Sequence, residues 1–322
     1  MILAGIDEAG YGPLLGPLVV GCCALGLDGD PNGELPCIWQ RLKKVASKTR
    51  SRTGRKLHIN DSKLVYSSSS GLKELERSVL ALAGLMGAWP ADLDAFVQLT
   101  AGHVVPDLAE HEWYVACDGE KFPLEQDATS IRILCNGLKA EMERTQTRCV
   151  YLAARVVPER QFNRLVQATR NKSSTLFSTT AIHLDYLLRT HGHENLVIFC
   201  DRHGGREHYG HLLRLMFEDW SLQIISEADG RSEYRMTRSE DVVRLIFCEK
   251  AEAQCMPVAL ASMLSKYLRE ALMRRFNAFW TRHLPEVIPT AGYYTDGERF
   301  LHDIDIKRKE LGITDAQLIR CR

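Results

Sequence analysis

Residues 2 to 23, ILAGIDEAGYGPLLGPLVVGCC, form an apolar run that carries two adjacent carboxylates, Asp7 and Glu8, followed by a turn rich in glycine and proline. This stretch constrains the fold more than any other. "ILAGID" reads as a buried strand, "EAGYGPLLG" as a turn and "PLVVGCCAL" as a second apolar strand, a hairpin-like start that leaves Asp7 at a strand end. Alternation in a strand aims Asp7 and Glu8 at opposite faces, so both serve one site only if the backbone bends between or just after them. Gly10 and Gly12 permit such a bend.

The same run invites a reading as a signal peptide, but it lacks a basic beginning and holds Asp7 and Glu8 inside the apolar part. Pro13, Gly16 and Pro17 interrupt it before it could span a bilayer, so a cytoplasmic protein is expected. Ten cysteines occur without a C-x-x-C pair in a chain of 322 residues, which points to free buried thiols rather than disulfides or a zinc site. With 41 basic and 41 acidic residues the formal charge is zero, so no global charge signature of nucleic-acid binding exists. Locally, "RLKKVASKTRSRTGRK", 41 to 56, holds eight Lys/Arg and no acid, a run able to contact phosphates or to form a solvated loop.

Further along, 72 to 84 is helical in pattern, 85 to 130 reads as an irregular insertion, and 131 to 146 is an amphipathic helix. A strand at 150 to 157 precedes a helix opened by Pro158, and Ser173 or Ser174 is a candidate cap for the next helix, closed by Gly192. "LVIFCD", 196 to 201, is a continuous apolar run, as in a strand buried on both faces, and it ends on Asp201. A helix near 207 to 219, then "SLQIIS", "EYRMT" and "DVVRLIFC", lead to Glu249 and Glu252. After Pro257 a long helix has apolar positions at three- and four-residue spacing, with Lys266, Arg269, Arg274 and Arg275 among its polar ones. Strands followed by helices indicate an α/β chain with a mixed sheet, and no linker cuts it in two.

Three strands thus end on acids: Asp7 with Glu8, Asp201, and Glu249 or Glu252. In open α/β sheets such ends border the crevice where ligands bind. Two carboxylates about 4 Å apart repel by roughly 4 kcal/mol at an effective dielectric of 20. A cluster of them needs a counter-charge, and Mg²⁺ prefers carboxylate oxygens and substrate phosphates. His183, His203 and His208, near Asp201, fit no tight ligand spacing.

These residues carry a resemblance to the type 2 ribonucleases H, ribonucleases HII and HIII. "GIDEAGYGPLLGPLVVG" resembles their N-terminal signature, "NDSK" at 60 to 63 their Asp-Ser-Lys segment, and "IFCD" the strand ending on their third acid. "KAEAQCMPVALASMLSKYLRE", 250 to 270, is similar to their fourth acid and its helix, and "AGYYTDGERF", 291 to 300, to their Gly-Tyr-x-Thr segment. The resemblance implies a ribonuclease H-like mixed sheet flanked by helices, with a C-terminal helical region. It implies one domain over 1 to 322, with large insertions near 28 to 56, 85 to 130 and 205 to 240. It makes Asp7, Glu8, Asp201 and Glu252 the catalytic, metal-binding acids, with Asp7 as the bridging ligand. Glu252 is preferred to Glu249 because it stands six residues before Val258; Glu at that place is similar to the HIII branch.

The implied activity is endonucleolytic cleavage of RNA in RNA–DNA hybrids, or at ribonucleotides embedded in DNA, with Mg²⁺ or Mn²⁺ in a two-metal mechanism. Tyr293 is implied to contact the ribose with its 2′-OH. Lys63 and Lys266 are implied to hold phosphates, and Gly10, Tyr11, Gly12 and Ser262 to meet the substrate. A monomer is expected, with nucleic acid as its partner and no membrane association. The chain departs from the family at Tyr11, where an Arg or Lys stands between the two glycines, and in having a single lysine at 63 where many members have two. Two alternatives stay open: a non-catalytic hybrid- or RNA-binding relative, and a nuclease of the same fold with another nucleic-acid substrate.

Overall fold

β1 (Ile2–Ala9) and β2 (Leu18–Leu27) pair antiparallel in the computed structural model, with Asp7 opposite Gly21 and Glu8 opposite Val20. The structure describes residues 1 to 28, 35 to 66, 71 to 87, 89 to 228 and 230 to 321. Positions 29 to 34 of the first expected insertion, 88 of the second and 229 of the third therefore lie outside the described residues.

After a two-stranded parallel pair (Ala46–Ser47 with Leu57–His58), the chain runs through α1 (Lys73–Ala83), α2 (Leu93–Ala101) and α3 (Ala128–Arg144) to β3 (Thr147–Val157). α4 (Glu159–Thr169), α5 (Lys172–His191), β4 (Leu196–Asp201) and a short helix Gly210–Met216 follow. β5 (Ser221–Ala228), β6 (Arg231–Arg238) and β7 (Asp241–Cys248) then form a meander ahead of α6 (Met256–His283) and α7 (Tyr294–Glu310). The sheet order is β3-β2-β1-β4-β7-β6-β5, with β1, β4 and β7 parallel at the centre and antiparallel strands outside them. It is the mixed sheet flanked by helices that the sequence led us to expect.

Alternation along β1 divides two cores. Leu3 faces α1, α2, α3 and α6, while Ile2, Ala4 and Ile6 face α4 and α5. α6 lies directly on the sheet at two glycines: a β-carbon on Gly5 would stand 2.1 Å from the Val258 nitrogen, and one on Gly21 would stand 2.5 Å from the Ala261 carbonyl oxygen. The helix is so closely covered that Arg269 and Arg275, read as polar-face residues, are buried.

Several expectations are corrected. The segment 85 to 130 is not irregular: it holds α2 and the short helix Val105–Ala109, and it buries Phe96, Trp113 and Tyr114 in the core. Arg275 fastens it to α6 by donating to Glu120 at 2.6 Å, Asp94 at 2.5 Å and the Tyr114 carbonyl at 3.0 Å. The segment 205 to 240, expected as an insertion, supplies β5 and all of β6 to the main sheet. The cap of α5 is Asn171, whose side chain accepts from the Ser173 and Ser174 nitrogens; neither serine is the cap. Pro158 precedes α4 as its N-cap instead of entering its first turn. The ten cysteines are all free, six of them buried.

Candidate active site

The last β1–β4 pair is Ile6 with Cys200, so Asp7 and Asp201 are the next residues on neighbouring parallel strands. β1 continues to Ala9, and the chain turns only at Gly10, whose φ of +83° and close approach to the Pro17 carbonyl and Arg269 demand glycine. Gly12 is exposed, with open space where a side chain would stand, and it has no part in forcing the bend. By alternation Asp7 points toward α6 and Glu8 toward the other face. Beyond the end of β4 both reach the same cleft, lined also by Asn60, Asp61, Ser62, Lys63, Asp201, Lys250, Glu252 and Ser262.

The segment 60 to 63 is locked in by its own chemistry. The Asp61 carboxylate caps the short helix Ser62–Val65 by accepting from the Lys63 nitrogen at 2.9 Å. The buried Ser262 hydroxyl donates to Ser62 Oγ at 3.0 Å, and Ser265 donates to the Asp7 carbonyl at 3.1 Å. Asp7 accepts from the Glu8 nitrogen at 2.7 Å, and Asp201 from the Ala251 nitrogen at 3.3 Å. Asp61 is an acid of the cleft that the sequence reading passed over, although it sits inside the motif already singled out.

The electrostatics are those of negative charge held without enough cations. Burial, then the charges of Glu8 and Asp201, push the Asp7 carboxyl well above its ordinary range, and the hydrogen bond accepted from the Glu8 nitrogen opposes that rise. Burial and Asp201 push Glu8 up to about 7. Burial raises Asp201 and Glu252 as well, with repulsion from Asp61 acting on both and Lys63 opposing it. Among the described residues none of these acids forms an ion pair with a Lys or Arg, whereas Glu249 lies outside the cleft and pairs with Arg202. One buried and three partly buried carboxylates on one cleft call for an external cation, and an all-oxygen donor set suits a hard divalent one. No three His, Cys, Asp or Glu side chains among the described residues are close enough together to hold an ion as they stand.

The other residues singled out from sequence are spread more widely. Lys63 and Ser262 line the cleft. Lys266 does not: its ammonium pairs with Glu270 at 2.7 Å and lies over the Tyr66 ring. Tyr293 is half exposed and precedes α7, stacked over the Arg269 guanidinium outside the cleft lining. Gly10, Tyr11 and Gly12 follow Glu8 in the chain but do not line the cleft; burial, then the Glu8 charge, raises the Tyr11 phenol. His183 contacts the Val20 carbonyl, His203 contacts Thr180, and His208 pairs with Glu227, so the three histidines serve separate places. The basic run 41 to 56 reaches the rim of the cleft through Lys48, which donates to the Ala253 carbonyl at 2.8 Å.

The class defined by these features is an α/β protein with an acidic cleft at the carboxyl ends of three central parallel strands. Its sequence likeness is to the type 2 ribonucleases H. Ribonuclease HII of Chlamydia abortus is 38% identical over 76 residues, which are 24% of this chain and 32% of that protein. Ribonuclease HII of Chlamydia caviae is 37% identical over the same length, with the same coverage. The match thus spans about a third of the length of these relatives. No protein-family model matches the chain. Among solved structures, the PCNA:RNase HII complex from Archaeoglobus fulgidus aligns with a TM-score of 0.44 and 14% identity, covering 100% of this chain and 95% of the other. Bst-RNase HIII in complex with Mn²⁺ gives 0.43 and 13%, covering 99% and 66%. Among the described residues no helix is long and apolar enough to cross a membrane.

Proposed function

We propose that the chain is a divalent-metal-dependent endoribonuclease that cleaves RNA in RNA–DNA hybrids or at ribonucleotides embedded in DNA. The observation that carries this reading is the convergence of Asp7, Glu8, Asp201 and Glu252 on one cleft without neutralising ion pairs, in a chain similar to ribonucleases HII. Asp7, Glu8, Asp201 and Glu252 are the residues to hold Mg²⁺ or Mn²⁺. When bound, the metal supplies Lewis acidity, activating water and stabilising the leaving oxygen.

The rest of the work belongs to the chain itself. Lys63, fixed by the Asp61 cap and the Ser62–Ser262 hydrogen bond, presents its ammonium to a phosphate at the cleft wall. Tyr293, with half its surface free, is assigned the contact with a sugar face of a strand that extends beyond the cleft lining. Lys266, neutralised by Glu270, acts on the position of Tyr66 rather than on a phosphate. We read 1 to 322 as one domain acting as a cytoplasmic monomer, with insertions near 28 to 56, 85 to 130 and 205 to 240.

The test is cleavage of three labelled duplexes, a uniform RNA–DNA hybrid, a DNA duplex with one ribonucleotide and a plain RNA duplex, with Mg²⁺, Mn²⁺ or EDTA. Cleavage of either of the first two, dependent on the metal and lost in Asp201→Asn, supports the reading. Cation-independent cleavage, or none, refutes it.

A further inference from the structure

The turn from Gly10 to Gly16 is gripped from beneath by two buried arginines. Arg320 donates to the carbonyls of Gly10, Tyr11 (3.0 Å) and Gly16 (3.4 Å), and Arg269 donates to those of Leu15 (3.3 Å) and Ala291 (2.9 Å). Both side chains are 1% exposed. With its carbonyls engaged, the turn holds the main chain of Tyr11 in a fixed place three residues beyond Glu8.

One further cation lies over the ring of Tyr11, and a second is held to that cation's neighbour in the chain. The Lys172 ammonium lies 5.1 Å from the centroid of the Tyr11 ring and 5.9 Å from that of Phe162. The Arg206 guanidinium donates to Ser173 Oγ at 2.8 Å, one residue from Lys172, and its charge is felt by the Tyr11 phenol. Among the described residues neither Lys172, Arg206 nor Arg320 forms an ion pair with a carboxylate, while Arg202 just beyond β4 and Arg231, Arg238 and Arg244 on β6 and β7 all do. The Arg206 Nε is also buried without a hydrogen-bond partner. Burial and then the charge of Arg320 push the Lys172 ammonium down, as expected for positive charge lacking a counter-ion.

We propose that Lys172, over the ring of Tyr11, and Arg206, held to the neighbouring Ser173, form a subsite for a backbone phosphodiester of the nucleic acid near the carboxylate cleft. The inference rests on the nuclease reading of the cleft. Lysine offers a point charge and arginine a forked donor, and together with the tyrosine hydroxyl they suit two phosphate oxygens. The single charge of a diester is tolerated beside Glu8 better than the double charge of free phosphate, which favours a strand over an isolated ion.

The experiment measures binding of a labelled RNA–DNA hybrid in EDTA across a series of chloride concentrations, with no cleavage required. Lys172→Gln and Arg206→Gln are each expected to flatten the slope of log affinity against log salt by just under about one unit. Lys172→Arg retains the slope, and so does Lys139→Gln, which removes one charge from the exposed surface of α3. Thermal midpoints near that of the wild type show that the variants fold. Unchanged slopes in both glutamine variants, or an equal change in Lys139→Gln, overturn the proposal. Displacement of the hybrid by inorganic phosphate beyond that by chloride of equal ionic strength, absent in Lys172→Gln, assigns the site to free phosphate and also overturns it. Because the assay contains no divalent cation, loss of the subsite and failure of the nuclease reading are told apart: the latter shows only in the cleavage of the three duplexes.

Discussion

Ser262, in the second turn of α6, donates a hydrogen bond to Ser62 across 200 residues of sequence, at 3.0 Å between two buried hydroxyls. That bond ties the loop bearing Asp61 and Lys63 to the helix that also steadies Asp7. A typical internal hydrogen bond contributes about 1 kcal/mol net, and a hydroxyl left unpaired inside costs about 1–3 kcal/mol. Ser262→Ala should therefore lower stability by about 1–2 kcal/mol in urea unfolding. In a double-mutant cycle with Ser62→Ala the two changes should couple by about 1 kcal/mol. Strict additivity would show that the two hydroxyls act independently.

Asp7→Asn removes a charge that the metal-free fold disfavours, because burial and two neighbouring carboxylates already raise its carboxyl. The amide oxygen of asparagine can still accept from the Glu8 nitrogen. In EDTA the variant should melt no lower than the wild type. In Mg²⁺ or Mn²⁺ the wild type should gain stability, about 2.7 kcal/mol at a hundred times the dissociation constant, and the variant should lose most of that gain. Equal metal-dependent shifts in calorimetry would remove Asp7 from the ligand set.

The parts of the fold legible in the sequence are those where one physical pattern acts alone. LVIFCD is apolar on its first five residues and ends on a charge, and it is a central strand with those bounds. Charge misleads where burial wins. Arg269 and Arg275 look like solvent-facing positions on α6, yet each is enclosed because backbone carbonyls or Glu120 and Asp94 meet its guanidinium. The helices of 85 to 130 are hidden by short lengths and by Pro106, and are held by tertiary packing instead of propensity. Lys266 was legible in principle, since Glu270 stands four residues on, the spacing of a helical ion pair. The pairing of Lys172 with Tyr11 joins residues 161 apart in sequence, and no local pattern announces it.

Gly5→Ala probes the seat of α6. The added methyl meets helix backbone at 2.1 Å, which cannot rotate aside as a side chain can. Overpacking typically costs about 1–3 kcal/mol, and a collision with main chain belongs at or above the top of that range. Fluorescence-detected urea unfolding should show that loss. A wild-type midpoint would mean that α6 can lift from β1.

Acid should expose two buried histidines. Burial lowers His183 and His203 to about 3 each; Arg155 and His103 disfavour charge on the first, and Arg206 on the second. The unfolded chain titrates near 6.5 and binds more protons between the two values, so this part of the stability is intact above pH 6.5 and is lost as pH falls toward 3. The loss is roughly 2 kcal/mol per histidine between pH 7 and pH 5. Asp7, Glu8, Asp201 and Glu252 have raised values and push the other way, so the informative quantity is a difference. His183→Gln should flatten the pH dependence of unfolding by about that amount relative to wild type. An identical pH profile would mean that His183 is protonated in the folded state.

The basic run 41 to 56 divides by its partners. Arg50 pairs with Glu74 at 3.3 Å, Lys48 is engaged with the Ala253 carbonyl and the Trp39 ring, and Lys56 donates to the Lys43 carbonyl. Arg52 and Arg55 are exposed, with no carboxylate partner among the described residues. They are the guanidiniums free to meet phosphate at the rim that Lys48 fixes beside Glu252. For a duplex, each phosphate that is no longer neutralised lowers the salt slope by about 0.9 unit. Neutralising Arg52 and Arg55 together should flatten it by up to about two units, and adding Arg50→Gln should change it little further. These slopes are measured on hybrid binding in EDTA. A double variant with the wild-type slope makes 41 to 56 a solvated surface, while a further full unit from Arg50→Gln would show that its pair with Glu74 opens when nucleic acid binds.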